Sequence, residues 1–95
     1  MIKTDMYHDS FNKILFDQET KIVYVEIDGV TKYKFPASNL ETVSPRLFEG
    51  AKESSSVTVW ILCANANDIE LILPSNGSIE RLGSAIQQIK NRLNQ

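Results

Sequence analysis

Apolar and polar residues alternate along three short segments in the first part of the chain, NKILF at 12–16, KIVYVEI at 21–27 and VTKYKF at 30–35. Each is rich in β-branched and aromatic residues, and DQET and DG separate them, so the pattern predicts a three-stranded antiparallel meander. Phasing follows from which residues must share a face. A four-residue DQET loop pairs Phe16 with Lys21 and Ile14 with Val23. For the second hairpin, a two-residue Asp28-Gly29 turn would set Lys32 and Lys34 among the valines. A three-residue loop of Ile27, Asp28 and Gly29 pairs Val25 with Thr31 and Val23 with Tyr33 instead, and is the expected one. One face then carries Ile14, Phe16, Val23, Val25, Tyr33 and Phe35. The other carries Phe11, Lys13, Leu15, Tyr24, Glu26, Lys32 and Lys34.

Alternation stops after Pro36. In SPRLFEGAK at 44–52, Ser44 can cap a helix, Pro45 suits its first position, and Leu47, Phe48 and Ala51 fall on one side. A short helix is therefore expected there. The run VTVWILCA at 57–64 has Thr58 as its one distinctly polar residue, so both faces of the strand are apolar: Val57, Val59, Ile61 and Cys63 against Trp60, Leu62 and Ala64. NAND at 65–68 reads as the turn into a second strand at 69–73. A four-residue loop sets Leu62 opposite Leu71 and Trp60 opposite Leu73, whereas a five-residue loop sets Cys63 opposite Ile69; the sequence leaves both open. From Ser78 to the end, Ile79, Leu82, Ile86, Ile89 and Leu93 form one stripe. That predicts an amphipathic helix capped by Ser78, with Glu80, Lys90 and Arg92 placed to suit its dipole.

These elements amount to one small α+β domain over residues 1–95: an antiparallel sheet of about five strands, meander plus hairpin, packed against a C-terminal amphipathic helix, with a short helix between strands three and four. A single helix cannot cover both apolar faces of the 57–64 strand. The short helix at 44–52, a second copy of the chain or another protein is the expected cover. That assigns Trp60, Leu62, Ile72, Phe11, Leu15 and Tyr24 to a protein-contact surface.

Composition narrows the classes. With 95 residues, 42% hydrophobic and 23% charged, the chain is an ordinary globular sequence, and a core this small leaves little stability to spend on desolvated catalytic groups. A formal net charge of −2 supplies no general attraction to nucleic acid or anionic lipid. No leader or long apolar run is visible, and the single cysteine excludes an internal disulfide framework, so the expected compartment is the cytoplasm.

Candidate chemistry is sparse. Cys63 would need a base to become a nucleophile, and the only histidine is His8, in a segment expected to be mobile; a small buried hydrophobe is the better reading. Asp5, His8 and Asp9 could meet on a helical turn, but a solvated chain end accounts for them. NAND lacks the alternating acids, central glycine and closing glutamate of a calcium loop. PSNGS precedes a helix, so Ser75, Asn76, Gly77 and Ser78 could hold an anion, yet it lacks any phosphate-loop fingerprint and Glu80 opposes the charge. No metal or cofactor is expected. Lys13, Tyr24, Lys32 and Lys34 form a modest basic and aromatic face on which single-stranded nucleic acid could stack.

In architecture alone the meander, strand pair and C-terminal helix resemble pleckstrin-homology-like modules, which have seven strands where about five are read here; the resemblance implies no function. The expectation is a non-enzymatic binding module acting through protein contact, with the homodimer as one form, nucleic-acid binding by the lysine face as the alternative, and a small enzyme or anion-binding protein as the third reading.

Overall fold

The three alternating segments form β2 (Asn12–Asp17), β3 (Ile22–Ile27) and β4 (Val30–Pro36), an antiparallel meander. The computed structural model describes residues 3–46, 57–64, 67–75 and 77–93, and for 42–46 and 57 the backbone alone. Both registers differ from the expected ones by two residues, which leaves every side chain on its expected face. Phe16 pairs with Val23 and Ile14 with Val25, because the turn takes residues 18–21. Asp17 extends the ladder opposite Ile22, and its Oδ1 accepts the N–H groups of Glu19 and Thr20 at 2.9 and 3.3 Å. This bonding draws Asp17 into the strand and leaves Lys21 at φ 61°.

In the next hairpin Asp28 and Gly29 do form the two-residue turn, at φ 53° and 80°, the left-handed pair that matches strand twist. The extra residue falls inside β4 instead of in the loop. Glu26 pairs with Thr31 and Val25 with Tyr33, so Lys32 is bulged out of the ladder and the valine face survives.

A strand that the apolar pattern did not show, β1 (Lys3–His8), pairs with β2. Its sequence KTDMYH hides it: Tyr7 is its one buried side chain, and a bulge at Met6 breaks the alternation. The first sheet is thus β1-β2-β3-β4.

The second sheet corrects the sequence reading in three places. It is separate, with the order β5-β6-β7, where one sheet of about five strands was expected. Ser44, Pro45 and Arg46 belong to β5 (Leu40–Arg46), not to a short helix; residues 47–52 of that expected helix lie outside the described residues. Ser-Pro imitates a helix start, but β5 is an edge strand, where proline is tolerated. Between β4 and β5 stands a single 3-10 turn, Ala37–Asn39. Thirdly, β6 (Val57–Cys63) and β7 (Ile69–Leu73) pair as Val59 with Leu71, Trp60 with Glu70 and Ile61 with Ile69, so neither expected loop length holds. The facing is that of the five-residue alternative, with Cys63 and Ile69 on one side.

The helix α1 (Gly77–Arg92) carries the stripe read from sequence: Leu82, Ile86 and Ile89 are buried, with Ala85 among them, and Ile79 and Leu93 pack at its margin. It begins at Gly77, so Ser78 sits in the first turn instead of capping it. It packs on β1, β5 and the 3-10 turn, bridging edge strands of the two sheets. The core lies between: Ile14, Phe16, Val23 and Val25 meet Val59, Ile61, Leu71 and Leu73. Each large aliphatic buried there contributes about 1.5–3 kcal/mol relative to exposure.

The described residues therefore form an α+β domain with seven strands and a C-terminal helix. The helix is not long and apolar enough to cross a membrane.

Candidate protein-contact site

Two turns meet where the strand ends of the first sheet pass β7. In the first, Asp9 Oδ1 accepts the N–H groups of Phe11 and Asn12 at 2.7 and 2.8 Å, and the Asp9 N–H donates to Asn12 O at 2.9 Å. A side-chain oxygen that binds backbone two and three residues ahead fixes a tight turn. The second turn, Asp28-Gly29, donates its Asp28 N–H to Phe11 O at 2.8 Å. Phe11 is thereby pinned by its own backbone with its ring outward, 44% exposed.

Asn12 ties this corner to the second sheet. Buried at the start of β2, it donates from Nδ2 to the backbone carbonyl of Ile72 at 2.9 Å. Beside this contact lies a cleft of about 330 Å³ lined by Phe11, Asn12, Ile27, Asp28, Glu70 and Ile72. Ile72 is 48% exposed, and Val30, paired with the half-buried Ile27, is 54% exposed. Large apolar side chains this open, gathered at one corner, mark an interaction surface more than scattered ones would.

The charge around the cleft is acidic. Asp28 and Glu70 line it, and an adjoining hollow of about 230 Å³ adds Asp9 and Glu26, with Lys13 the one cation in its lining. Asp9 is already engaged. Burial works against its ionisation, but the Tyr7 hydroxyl and the Phe11 and Asn12 donors outweigh it and hold its carboxyl below the usual range. Tyr7 shows the reverse: burial first, then the Asp9 hydrogen bond and charge, pushes its phenol well up. The Arg81 guanidinium lies 5.2 Å from the Tyr7 ring centre and donates to His8 O, so this cluster fastens the helix to β1.

The six residues assigned to protein contact divide. Phe11 and Ile72 share the cleft. Leu15 and Tyr24 pair with each other on the outer face of the first sheet, away from it. Tyr24 is buried, with Lys3 Nζ 4.0 Å and Lys34 Nζ 5.9 Å from its ring centre. A nucleic-acid base could stack there only by displacing those lysines. Lys13 stands opposite Glu26 on the same face, and Lys32 occupies the bulge. Trp60 and Leu62 are half-buried on the side of β6 that faces the same way as Ile72, with Glu70 directly opposite Trp60. The sequence reading missed Asn12, Ile27, Asp28 and Glu70; only the Asp28-Gly29 pair carried a local signal.

The remaining candidates are separated. Cys63 is buried, and its thiol is pushed up by that burial and then by Asp68 and Glu41. Its N–H donates to Asp68 Oδ1 at 3.1 Å, which gives Asp68 of NAND a role in the turn, while Asn65 and Ala66 lie outside the described residues. His8 belongs to β1 in the other sheet. Asp5, His8 and Asp9 do not share a helical turn: His8 Nδ1 meets Asp5 Oδ2 at 3.2 Å along the strand, while Asp9 turns to Tyr7. Among the described residues no group of three or more such side chains could hold a metal. In PSNGS, Ser75 and Ser78 hydroxyls lie 3.4 Å apart, Ser78 is buried, and Asn76 is outside the described residues.

No family model, curated protein or solved structure matches the chain. With no relative to lend a role, the cleft at Phe11 and Ile72 is the feature with the most definite geometry.

Proposed function

We propose that the protein is a non-enzymatic binding module that acts through protein contact at the Phe11–Ile72 cleft. The observation that carries this is the bracing of the cleft: Phe11 is held out by two turns, and Asn12 fixes the wall that Ile72 provides. Exposed apolar groups held in place bind with less ordering cost than mobile ones. Pairing of two copies through this cleft would bring Asp28 and Glu70 of each against the same acidic rim in a two-fold contact, so a different partner fits better. A cytoplasmic setting belongs to the same reading, supported by the single reduced Cys63.

A photo-crosslinking amino acid placed at Ile72 tests this, with Gln87 on the exposed face of α1 as control. Expected are discrete protein adducts from position 72 that are absent from position 87 and lost with Phe11→Ser. Equal, diffuse labelling from both positions would remove the reading.

A further inference from the structure

Resting on the protein-contact reading, we infer that the cleft takes an extended peptide segment in which one aliphatic or aromatic side chain is flanked by lysines or arginines. Three properties of the corner point to this occupant.

Size comes first. About 330 Å³ is at the small end of ligand cavities, which run from about 300 to 1,000 Å³, and Phe11, Ile27 and Ile72 give it apolar walls. It has room for an anchor side chain, not for a folded element.

Charge selects what surrounds the anchor. Glu26, Asp28 and Glu70 stand at the rim of the cleft and its adjoining hollow, and among the described residues none of the three forms an ion pair. Asp9, by contrast, is committed to Tyr7, Phe11 and Asn12. Carboxylates on both sides of an apolar floor, with Lys13 opposite Glu26 as the one cation in the hollow's lining, favour cations on both sides of an apolar group, and repel acidic or symmetric partners.

Backbone geometry favours a peptide over a free amine. β7 is an edge strand, and the Ile72 carbonyl points away from β6, since it accepts from Asn12. In an antiparallel ladder the outward direction recurs every second residue, so the main-chain N–H and C=O of Glu70 also face out along this edge. With the Ile72 carbonyl held by Asn12, an extended chain can bond to the Glu70 groups while its side chain enters the cleft, a one-residue form of strand addition.

The test is selection of a random nine-residue peptide display library on the full-length protein, followed by affinity measurement on the enriched sequences. Enrichment of an apolar residue flanked by Lys or Arg is expected, with affinity reduced about tenfold or more by Ile72→Ser, an exposed position that leaves the core intact. Glu26→Lys with Glu70→Lys is expected to weaken those peptides about tenfold and to shift selection towards acidic ones. Acidic or uncharged consensus sequences, affinity unchanged by Ile72→Ser, or octylamine binding as tightly as the peptides would each overturn the proposal. No enrichment at all overturns it too, while adducts from position 72 would still uphold the broader protein-contact reading; loss of those adducts removes both.

Discussion

The side-chain amide of Asn12 donates to the backbone carbonyl of Ile72 at 2.9 Å, joining residues sixty positions apart and one sheet to the other. The same nitrogen lies 3.3 Å from both carboxylate oxygens of Asp9, so one buried amide serves the turn and the sheet contact together. Its worth is therefore more than one hydrogen bond.

Asn12→Ala is expected to lower stability by about 1–3 kcal/mol, the range for a buried polar group left without its partner, read as a shift of the urea midpoint. Asn12→Asp is a sharper probe. It keeps the shape but sets a second carboxylate against Asp9 and an acceptor against the Ile72 carbonyl. At pH 7 it should cost more than alanine, and the gap should narrow as the pH falls and the new carboxyl protonates.

Acid sensitivity has two identifiable sources. Asp9 and Asp17 both have carboxyl groups held below the usual range: burial opposes ionisation in each, and hydrogen bonds overcome it, from Tyr7, Phe11 and Asn12 for Asp9 and from Glu19 and Thr20 for Asp17. A folded value below the unfolded value, about 3.9, means that the stabilisation is present above that pH and is lost as pH falls through the folded value. Stability should therefore decline below about pH 4. The Asp9→Asn, Asp17→Asn double variant should be less stable at pH 7 and show a flatter decline in acid. An unchanged acid slope in urea titrations from pH 6 to 2.5 would assign the loss to other groups.

Cys63 offers a measure of local opening. Its thiol is buried, and burial together with the charges of Asp68 and Glu41 disfavours the thiolate. Native protein should react with a thiol reagent far more slowly than the unfolded chain at the same pH, at a rate that follows opening of β6. Rapid labelling of the native protein at pH 7 would contradict the buried position.

How these features relate to the sequence differs from one to the next. The faces of β2, β3 and β4 were legible because alternation fixes which side a residue takes, whatever the alignment along the strand. The alignment itself was set by details that alternation does not encode: Asp17 binding its own turn, and a bulge at Lys32 in place of a longer loop. The helix stripe was legible except for Ala85, too small to stand out, and Ser78, read as a cap. β1 was not, since Tyr7 is its one buried residue, and β5 was misread because Ser44-Pro45 has the same local chemistry at a helix start and on an edge strand. Of the cleft, Phe11 and Ile72 were named for apolarity alone. Asn12 and Glu70 were missed because their roles depend on β7 crossing the ends of β2 and β3, which no local pattern states.

Two turn positions with left-handed backbone should respond oppositely to substitution. Lys21 has φ 61°, where a Cβ crowds the following carbonyl at a cost of about 1–2 kcal/mol, and Gly29 has φ 80° without a Cβ. Lys21→Gly relieves that strain but frees the unfolded chain and loses the Nζ contact 5.9 Å from the Phe16 ring centre, so the net gain should be modest, about 0.5 kcal/mol. Gly29→Ala should cost about 1 kcal/mol or more. A Cβ built at Gly29 meets nothing within 4 Å, so that cost is backbone strain alone and should be the same for alanine and serine. The Asp28 N–H holds Phe11 O from the same turn, so Gly29→Ala should also disturb the amide resonances of Phe11 and Asn12, whereas Lys21→Gly, at the far end of β3, should leave them in place. Resonance shifts at Phe11 of equal size in both variants would contradict the coupling of the Asp28-Gly29 turn to the cleft.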